Sequence, residues 1–435
     1  MRSVMRRVFS RPSSRLLIIA ASVICSGAIV FSASRVWMAA HLASSRNPAR
    51  WMRSVKIEPG NAAYWNQLGL YEEWDFTQGN IQQSVLDFEH ATRLNPHWAT
   101  YWTGLASAYE ATGQIQKAGE AYEKAQQAFP VSAEVAWQVG NFLLRRGETQ
   151  RAARQVRQAL MNKPRLATSA ISQFWSAGVG LNEIFDQVLP ARRKDYEAAL
   201  HYFLALKNTD AALTSWQKLA GLGRKVPLHT CFGLIDHLIA SDRAGAAARV
   251  WRQALVSAGR ANEQDAGGSL VFNGGFEHSL VDGGFGWRWI PNSDADLDLV
   301  GDITHSGKQS ARVTFDGNGN SDFSALRQYV PVSPSTHYRF SAYMRSYQIS
   351  TDSGPRFVIR TCGNRIRHMA QTPAMTGTHP WTQEQAEFTT GLDTKCVEIV
   401  LRRKPSQMFA SKISGTLWVD DVRLFPVPAS GRAAR

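Results

Sequence analysis

Ala91-Thr92-Arg93-Leu94-Asn95-Pro96, Ala125-Gln126-Gln127-Ala128-Phe129-Pro130 and Ala159-Leu160-Met161-Asn162-Lys163-Pro164 are the stretches whose reading decides the fold. Each is a short apolar or amphipathic run that ends on proline, and the three prolines stand 34 and 34 residues apart. Proline cannot continue a helix, so each marks a boundary after which a new run begins. A fixed period of this size means stacked supersecondary units, and 34 residues is the period of a helix–turn–helix repeat.

Working outward, the same pattern recurs in phase. In the second unit Trp102, Leu105, Ala106 and Tyr109 mark one helix, Gly113 the turn, and Ala118, Tyr122 and Ala125 the second helix. The third unit repeats this with Gly140, Leu143, Gly147, Ala152 and Ala159, and the first with Trp65, Leu68, Gly69, Phe88 and Ala91. The first carries about three extra residues around Asp75–Gly79. Trp51–Ile57 before them reads as a capping helix. Trp102, Tyr109 and Tyr122 read as core between helices. The array resembles the tetratricopeptide repeat family strongly over 61–164. It reads as helical but irregular over 165–190, and returns weakly in Tyr196–Leu219 and Leu228–Leu255. Five or so repeats are expected over 41–260. Such arrays present a groove, and the resemblance implies that it docks a peptide or partner protein.

The net charge of +14 raises the question of nucleic acid. Its distribution argues against that. Residues 1–50 carry eight Arg and no acid, so more than half of the excess sits in one short segment. There Arg2, Arg6, Arg7, Arg11 and Arg15 precede Leu16–Ser34, an uncharged run long enough to cross a bilayer as a helix. Basic residues stay on the cytoplasmic side, which sends the body across the membrane. The expected localisation is a bacterial inner membrane, crossed once by an anchor within 1–40, with the body in the periplasm. The alternative is a cleaved signal peptide, for which Ala39-Ala40-His41 is a poor cleavage site.

Of the four cysteines, Cys25 lies in the anchor and Cys231 reads as a buried thiol. Cys362 and Cys396 stand at the ends of two expected strands, Arg356–Thr361 and Val397–Arg402. If those strands are antiparallel neighbours, the two cysteines meet, and an exported protein permits the disulfide.

Composition changes after the polar linker 261–269. From Leu270 short alternating runs separated by turn residues read as strands: Gln309–Phe315, Tyr338–Ser346, Arg356–Thr361, Val397–Arg402 and Leu417–Phe425. The expected fold class is therefore multidomain α plus β: a transmembrane helix, an α-solenoid and an antiparallel β-sandwich, with a tail at 427–435. Asn273-Gly274-Gly275-Phe276-Glu277, Gly286-Trp287, His305–Ala311, Tyr338–Tyr343 and Trp418–Leu424 stand in an order that resembles carbohydrate-binding modules of the galactose-binding-like jelly-roll type, over about 270–426. The resemblance implies a structural calcium joining the opening and closing strands, with Glu277 and either Asp420 or Asp421 as ligands. The alternative is a solvated strand-end acid or a turn hydrogen bond.

Alternation in Tyr338–Tyr347 puts Tyr338, Phe340, Ala342 and Met344 on a core face, and Arg339, Ser341, Tyr343, Arg345 and Tyr347 on the other. Sugar rings stack on aromatic faces, and Arg forks onto carboxylate or sulfate. If Arg356, Arg360 and Arg402 align with this strand, the surface suits an acidic polysaccharide. Otherwise it is a solvated sheet face. Trp289 and Trp381 are rim candidates, whereas Trp287 and Trp418 read as core. The acids of Asp294-Ala295-Asp296-Leu297-Asp298 read as a solvated or metal-binding loop. The sequence carries no nucleophile elbow, phosphate loop, His-Glu-x-x-His or Cys-x-x-Cys, so no enzyme is expected. The expected role is a membrane-anchored adaptor whose repeats dock a protein and whose sandwich binds glycan, in cell-envelope polysaccharide assembly or export. The alternatives are a purely structural scaffold without glycan and an accessory subunit of an envelope enzyme.

Overall fold

The computed structural model describes residues 12–75, 79–263, 267–291, 293–320, 322–363, 366–409 and 411–428. Arg2, Arg6, Arg7 and Arg11, part of the expected linker and most of the expected tail lie outside them. The chain forms two compact units, one of residues 1–166 with 173–190, the other of 167–172 with 191–435.

The first unit opens with α1 (Pro12–Ala43), a continuous helix of 32 residues, followed by α2 (Pro48–Ile57). Within α1, Arg15–Ala43 is long and apolar enough to cross a membrane. Its last turn belongs to the repeats: Ala39 is fully buried, and Gln67 Nε2 donates to the Ala43 carbonyl at 3.1 Å. Three helix pairs follow: α3 (Ala62–Trp74) with α4 (Ile81–Leu94), α5 (Ala99–Ala111) with α6 (Ile115–Ala128), and α7 (Ala133–Arg145) with α8 (Thr149–Asn162).

The proline boundaries have a local cause. Trp65 Nε1 donates to the Pro59 carbonyl at 2.9 Å, and Trp102 Nε1 to the Pro96 carbonyl at 2.8 Å. Each indole thereby ties a helix to the turn six residues earlier. The third unit has Ala136 where the others have Trp, and Gln158 Nε2 takes the Pro130 carbonyl instead, at 2.8 Å. Gly113 and Gly147 both adopt φ +74, the left-handed turn that joins the paired helices. Phe88 is fully buried between pairs, and a Cβ at Gly104 would lie 2.5 Å from its ring. The period fades after Pro164 because the backbone changes type. A 3₁₀ turn at Pro164–Leu166 leads into α9 (Ala167–Ser176), and Leu181–Glu183 runs into a π-helical turn at Ile184–Val188. Arg157 holds that turn by donating to the Asp186 and Leu189 carbonyls at 3.1 and 2.8 Å.

The second unit contains α10 (Arg193–Ala205), α11 (Thr209–Ala220), α12 (Phe232–Ala240) and α13 (Ala244–Ala258), followed by ten strands among the described residues. Cys231 is a buried free thiol whose pKa burial pushes up to about 12. The strands make two antiparallel sheets. One has the order β1-β4-β9-β6-β7, from Arg288–Trp289, Phe323–Pro331, Cys396–Arg403, Arg356–Thr361 and His368–Gln371. The other has the order β2-β3-β10-β5-β8, from Ala295–Val300, Ser310–Asp316, Ser414–Pro426, His337–Ile349 and Gly377–Thr389. Alternate residues from both, among them Val313, Phe340, Met344, Phe357, Ile399, Leu417 and Val419, fill one core with Phe276 and Trp287.

Two readings of the sequence need correction here. The acids of Asp294–Asp298 are not in a metal loop, because Ala295–Val300 is edge strand β2, and Asp298 pairs with Arg312 at 2.9 Å. Trp418 lies outside the core cluster: its neighbours Leu417 and Val419 point inward, and the alternation of a strand puts Trp418 on the outer face.

The helices and the sandwich meet within this unit. Trp251 of α13 packs edge-on to Phe272 and Phe285, with ring centroids 5.4 and 6.3 Å apart. Gly283 and Gly284 let the loop before β1 approach so closely that a Cβ would lie 2.1 Å from Phe232 and 2.5 Å from Trp251. Arg288 completes the seam with an ion pair to Asp236 of α12.

Candidate functional site

The outer face of the second sheet is the place where the sequence candidates gather. Tyr343 of β5 stands opposite Asp420 of β10. Next to Asp420 the ladder slips at a bulge between Asp420 and Arg423, where Asp421 takes φ 48. The loop carrying His305 folds onto this bulge. The His305 and Ser306 amides donate to Asp420 Oδ2 at 2.9 and 3.0 Å, and His305 Nδ1 lies 2.6 Å from Asp421 Oδ2. The His305 ring stacks on Tyr343 at 3.5 Å with 14° between planes, and Trp381 of β8 stands edge-on to it at 5.8 Å. Sequence reasoning gave Tyr343 an open ring for sugar stacking, but His305 covers one side of that ring. Tyr347 is 52% exposed on the same strand. Arg339 pairs with Glu387 at 2.7 Å, and Arg345 lies over the Trp418 ring at 5.8 Å.

Three expected contributors are elsewhere. Arg356, Arg360 and Arg402 sit on β6 and β9 of the other sheet, so the expected three-strand basic surface does not form. Arg360 pairs with the buried Glu398 at 2.6 Å, and Arg402 pairs with Asp322. Membership of different sheets, which alternation along a strand does not reveal, separates them from β5. Trp289 also belongs to that sheet. It packs on Phe323 at 6.0 Å against the core, and is not a rim residue of the aromatic face.

The acids have definite partners. Glu277 Oε1 accepts from the Lys308 and Gln309 amides at 2.8 and 3.4 Å, so Glu277 and Asp420 clamp one loop from its two ends. Burial raises the Asp420 carboxyl above its ordinary value, against three backbone amides that lower it. Burial also acts to raise Asp421, but hydrogen bonds from His305, Ser306 and Arg423 hold its carboxyl below the ordinary value. Both Asp420 Oδ1 and Glu277 Cγ lie 3.8 Å from where a Cβ of Gly275 would stand. Glu277 and Asp420 are hard carboxylates of the kind calcium takes, although their oxygens here accept backbone amides of Lys308, Gln309, His305, Ser306 and Asp421. Asp421 does not fit, because its oxygens face His305 and Arg423. Among the described residues no three His, Cys, Asp or Glu side chains form a metal-binding group, so backbone carbonyls or water would complete the oxygen set. Cys362 and Cys396 are joined by a disulfide at the end of the β6–β9 ladder, with Cα atoms 5.4 Å apart.

In the first unit the first helices of successive repeats are linked by polar contacts: Ser107 donates to Glu73, and Arg145 pairs with Glu110 at 2.8 Å. Within one pair, Tyr122 of α6 donates to Glu110 at 2.8 Å. Burial raises the Glu73 carboxyl above its ordinary value. The sequence had pointed only to apolar positions here; the near-34-residue spacing of Glu73 to Ser107 and of Glu110 to Arg145 is the signal that could have found this row.

The tetratricopeptide repeat family matches residues 99–131. Among curated proteins none matches the sequence. A solved CBM4 domain is 16% identical, with a TM-score of 0.28, over 36% of this chain and 99% of its own. MamA is 15% identical, with a TM-score of 0.26, over 40% of this chain and 85% of its own. YrrB, a TPR protein with an unusual peptide-binding site, is 11% identical, with a TM-score of 0.26, over 48% of this chain and 91% of its own. The chain thus joins an apolar N-terminal helix and a helical-repeat region, of which residues 99–131 match the tetratricopeptide repeat model, to an antiparallel β-sandwich.

Proposed function

We propose that the protein is a membrane-anchored, non-catalytic adaptor. In this reading α1 crosses the bilayer, the repeats dock a partner protein, and the outer face of the β2-β3-β10-β5-β8 sheet binds glycan outside the cytoplasm. The observation that carries the glycan part is the cluster of His305, Tyr343 and Trp381 on a sheet face whose neighbours Thr314, Gln383, Gln385 and Glu387 are exposed. Aromatic rings beside polar side chains on an open sheet suit a sugar, which has apolar C–H faces and a hydroxyl rim. The helical repeats, of which residues 99–131 match the tetratricopeptide repeat model, support protein docking.

Calcium belongs to the same reading. Glu277 and Asp420 would hold it, and when bound it supplies a cross-link between the opening and closing segments that steadies the His305 loop. Saturating calcium should raise the melting temperature relative to chelator, and Glu277→Gln should abolish that difference. An equal melting temperature in both buffers would remove calcium from the reading.

Binding of the full-length protein to a panel of immobilised polysaccharides tests the whole. The expected result is retention on at least one polymer, lost in Trp381→Ala and Tyr347→Ala with folding intact. Retention on none, or retention indifferent to both substitutions, favours a scaffold without glycan.

A further inference from the structure

One row of the glycan face differs from the rest. Trp418 of β10 stands directly opposite Arg312 of β3 on one side and Arg345 of β5 on the other. Residues paired across neighbouring strands share a face, so Arg312, Trp418 and Arg345 form one rung. Trp418 is only 8% exposed, yet its indole N–H has no hydrogen-bond partner among the described residues. The Nε of Arg312 is likewise buried without a partner. A buried donor left without an acceptor is costly, and native structures seldom keep two side by side.

The charges on this rung are also unevenly matched. Elsewhere on the face Arg339 is paired with Glu387 and Arg423 with Asp421. Arg312 uses one terminal nitrogen on Asp298, which leaves its Nε aimed elsewhere. Arg345 has no carboxylate within ion-pair distance among the described residues, and only the Trp418 ring lies beneath it. Between Asp298, which Arg312 already holds at the end of the rung, and β8, the groups left without partners among the described residues are a cationic fork, a second guanidinium N–H and an indole N–H, all donors.

A neutral sugar hydroxyl both donates and accepts, so it would leave its own hydrogen unmatched here. A carboxylate or sulfate oxygen only accepts and carries the opposite charge, so it matches a donor-only row. We propose that the Arg312–Trp418–Arg345 rung is an anion-recognising subsite that selects glycans bearing carboxylate or sulfate groups. This rests on the glycan reading above and specifies its ligand class. Arg345 is the gate-keeping contact: it lifts from the indole ring onto the anion and uncovers the indole N–H. Trp381 lies in β8 at the register shift beside Arg345, so the sugar ring and its acidic group would be read by adjacent side chains.

The test uses the full-length protein in detergent and three soluble probes in affinity electrophoresis: polygalacturonate for carboxylate, dextran sulfate for sulfate, and unmodified dextran as the neutral polymer. At least one anionic polymer should bind tenfold or more tightly than dextran, and which one does identifies the group. Arg345→Ala should weaken that binding at least tenfold. Trp418→Phe keeps the ring and every charge but removes the donor, and should weaken it several-fold. General attraction to a basic protein would leave binding by Trp418→Phe unchanged; melting curves of both variants check that they fold. Anionic binding unaltered in both variants, or dextran bound as tightly, overturns the subsite while the glycan face stands. Anionic binding that is also indifferent to Trp381→Ala overturns both.

Discussion

Asp87 shows what a single buried acid does to the repeats. It lies inside α4 at 3% exposure, with one hydrogen bond from Gln83 at 2.9 Å, and burial pushes its pKa from 3.8 to about 6. An acid whose folded pKa is raised binds its proton better in the folded state. It therefore destabilises the fold increasingly as pH rises from about 4 to 6, and fully above that. Asp87→Asn should stabilise the first unit by about 1 kcal/mol at pH 7, with the gain vanishing near pH 4 in thermal melts at the two values. The Cys362–Cys396 disulfide acts in the opposite sense. It closes a loop across 34 residues, and replacing both cysteines with Ser should cost about 3 kcal/mol, read as a lower melting temperature of the second unit. The cysteine pairing was legible because two expected strands proved to be neighbours. Trp418 was not, because a tryptophan in a closing strand looks the same whether it faces inward or outward. Only the register of Leu417 and Val419 against the core decides it.

At the scale of elements, edges and seams matter most. β8 is a long edge strand, and such edges invite pairing with other chains. Pro380 removes a donor from it, and Glu384, whose carboxyl burial raises above its ordinary value, stands opposite the core residue Ala342. The seam between α12, α13 and the sandwich is closely packed. Trp251, Phe272 and Phe285 pack at distances that Gly283 and Gly284 alone permit. Trp251→Ala should cost about 3–5 kcal/mol by leaving a cavity there. A fragment of 265–428 should accordingly fail to unfold cooperatively in denaturant, whereas 191–428 should give one transition. A cooperative, equally stable short fragment would show that the seam contributes little. The polar linker at 261–269 marked a change of composition, but compactness is set by contacts, and those carry the last helices into the same unit as the strands.

Across the whole molecule, α1 is the one described helix long and apolar enough to cross a membrane. The 32 residues of α1 span about 48 Å, against roughly 30 Å for the hydrocarbon core of a bilayer. If α1 crosses a bilayer as proposed, its C-terminal turns would project beyond the lipid, where Ala39 and Ala43 engage the first repeat and Trp37 suits the interface. The full-length protein should sediment with membranes after an alkaline carbonate wash. Removal of residues 1–35, which keeps Ala39 in place, should release it in a folded, soluble form. A C-terminal reporter should be active outside the cytoplasm, and a cytoplasmic signal would reverse the proposed topology.

The sequence by itself determined the period, the apolar helix, the change from helical to alternating pattern and the cysteine pair. Each is a local or periodic property, because helices repeat every 3.6 residues, strands every two, and proline stops a helix wherever it falls. The tertiary structure decided which side chains share a surface. It placed Arg360 and Arg402 on a different sheet from Arg345, laid His305 on Tyr343, and brought Arg312, Trp418 and Arg345 into one rung from strands more than thirty residues apart in sequence. Strand order and register arise from long-range packing of the core, and no stretch of the chain carries them alone.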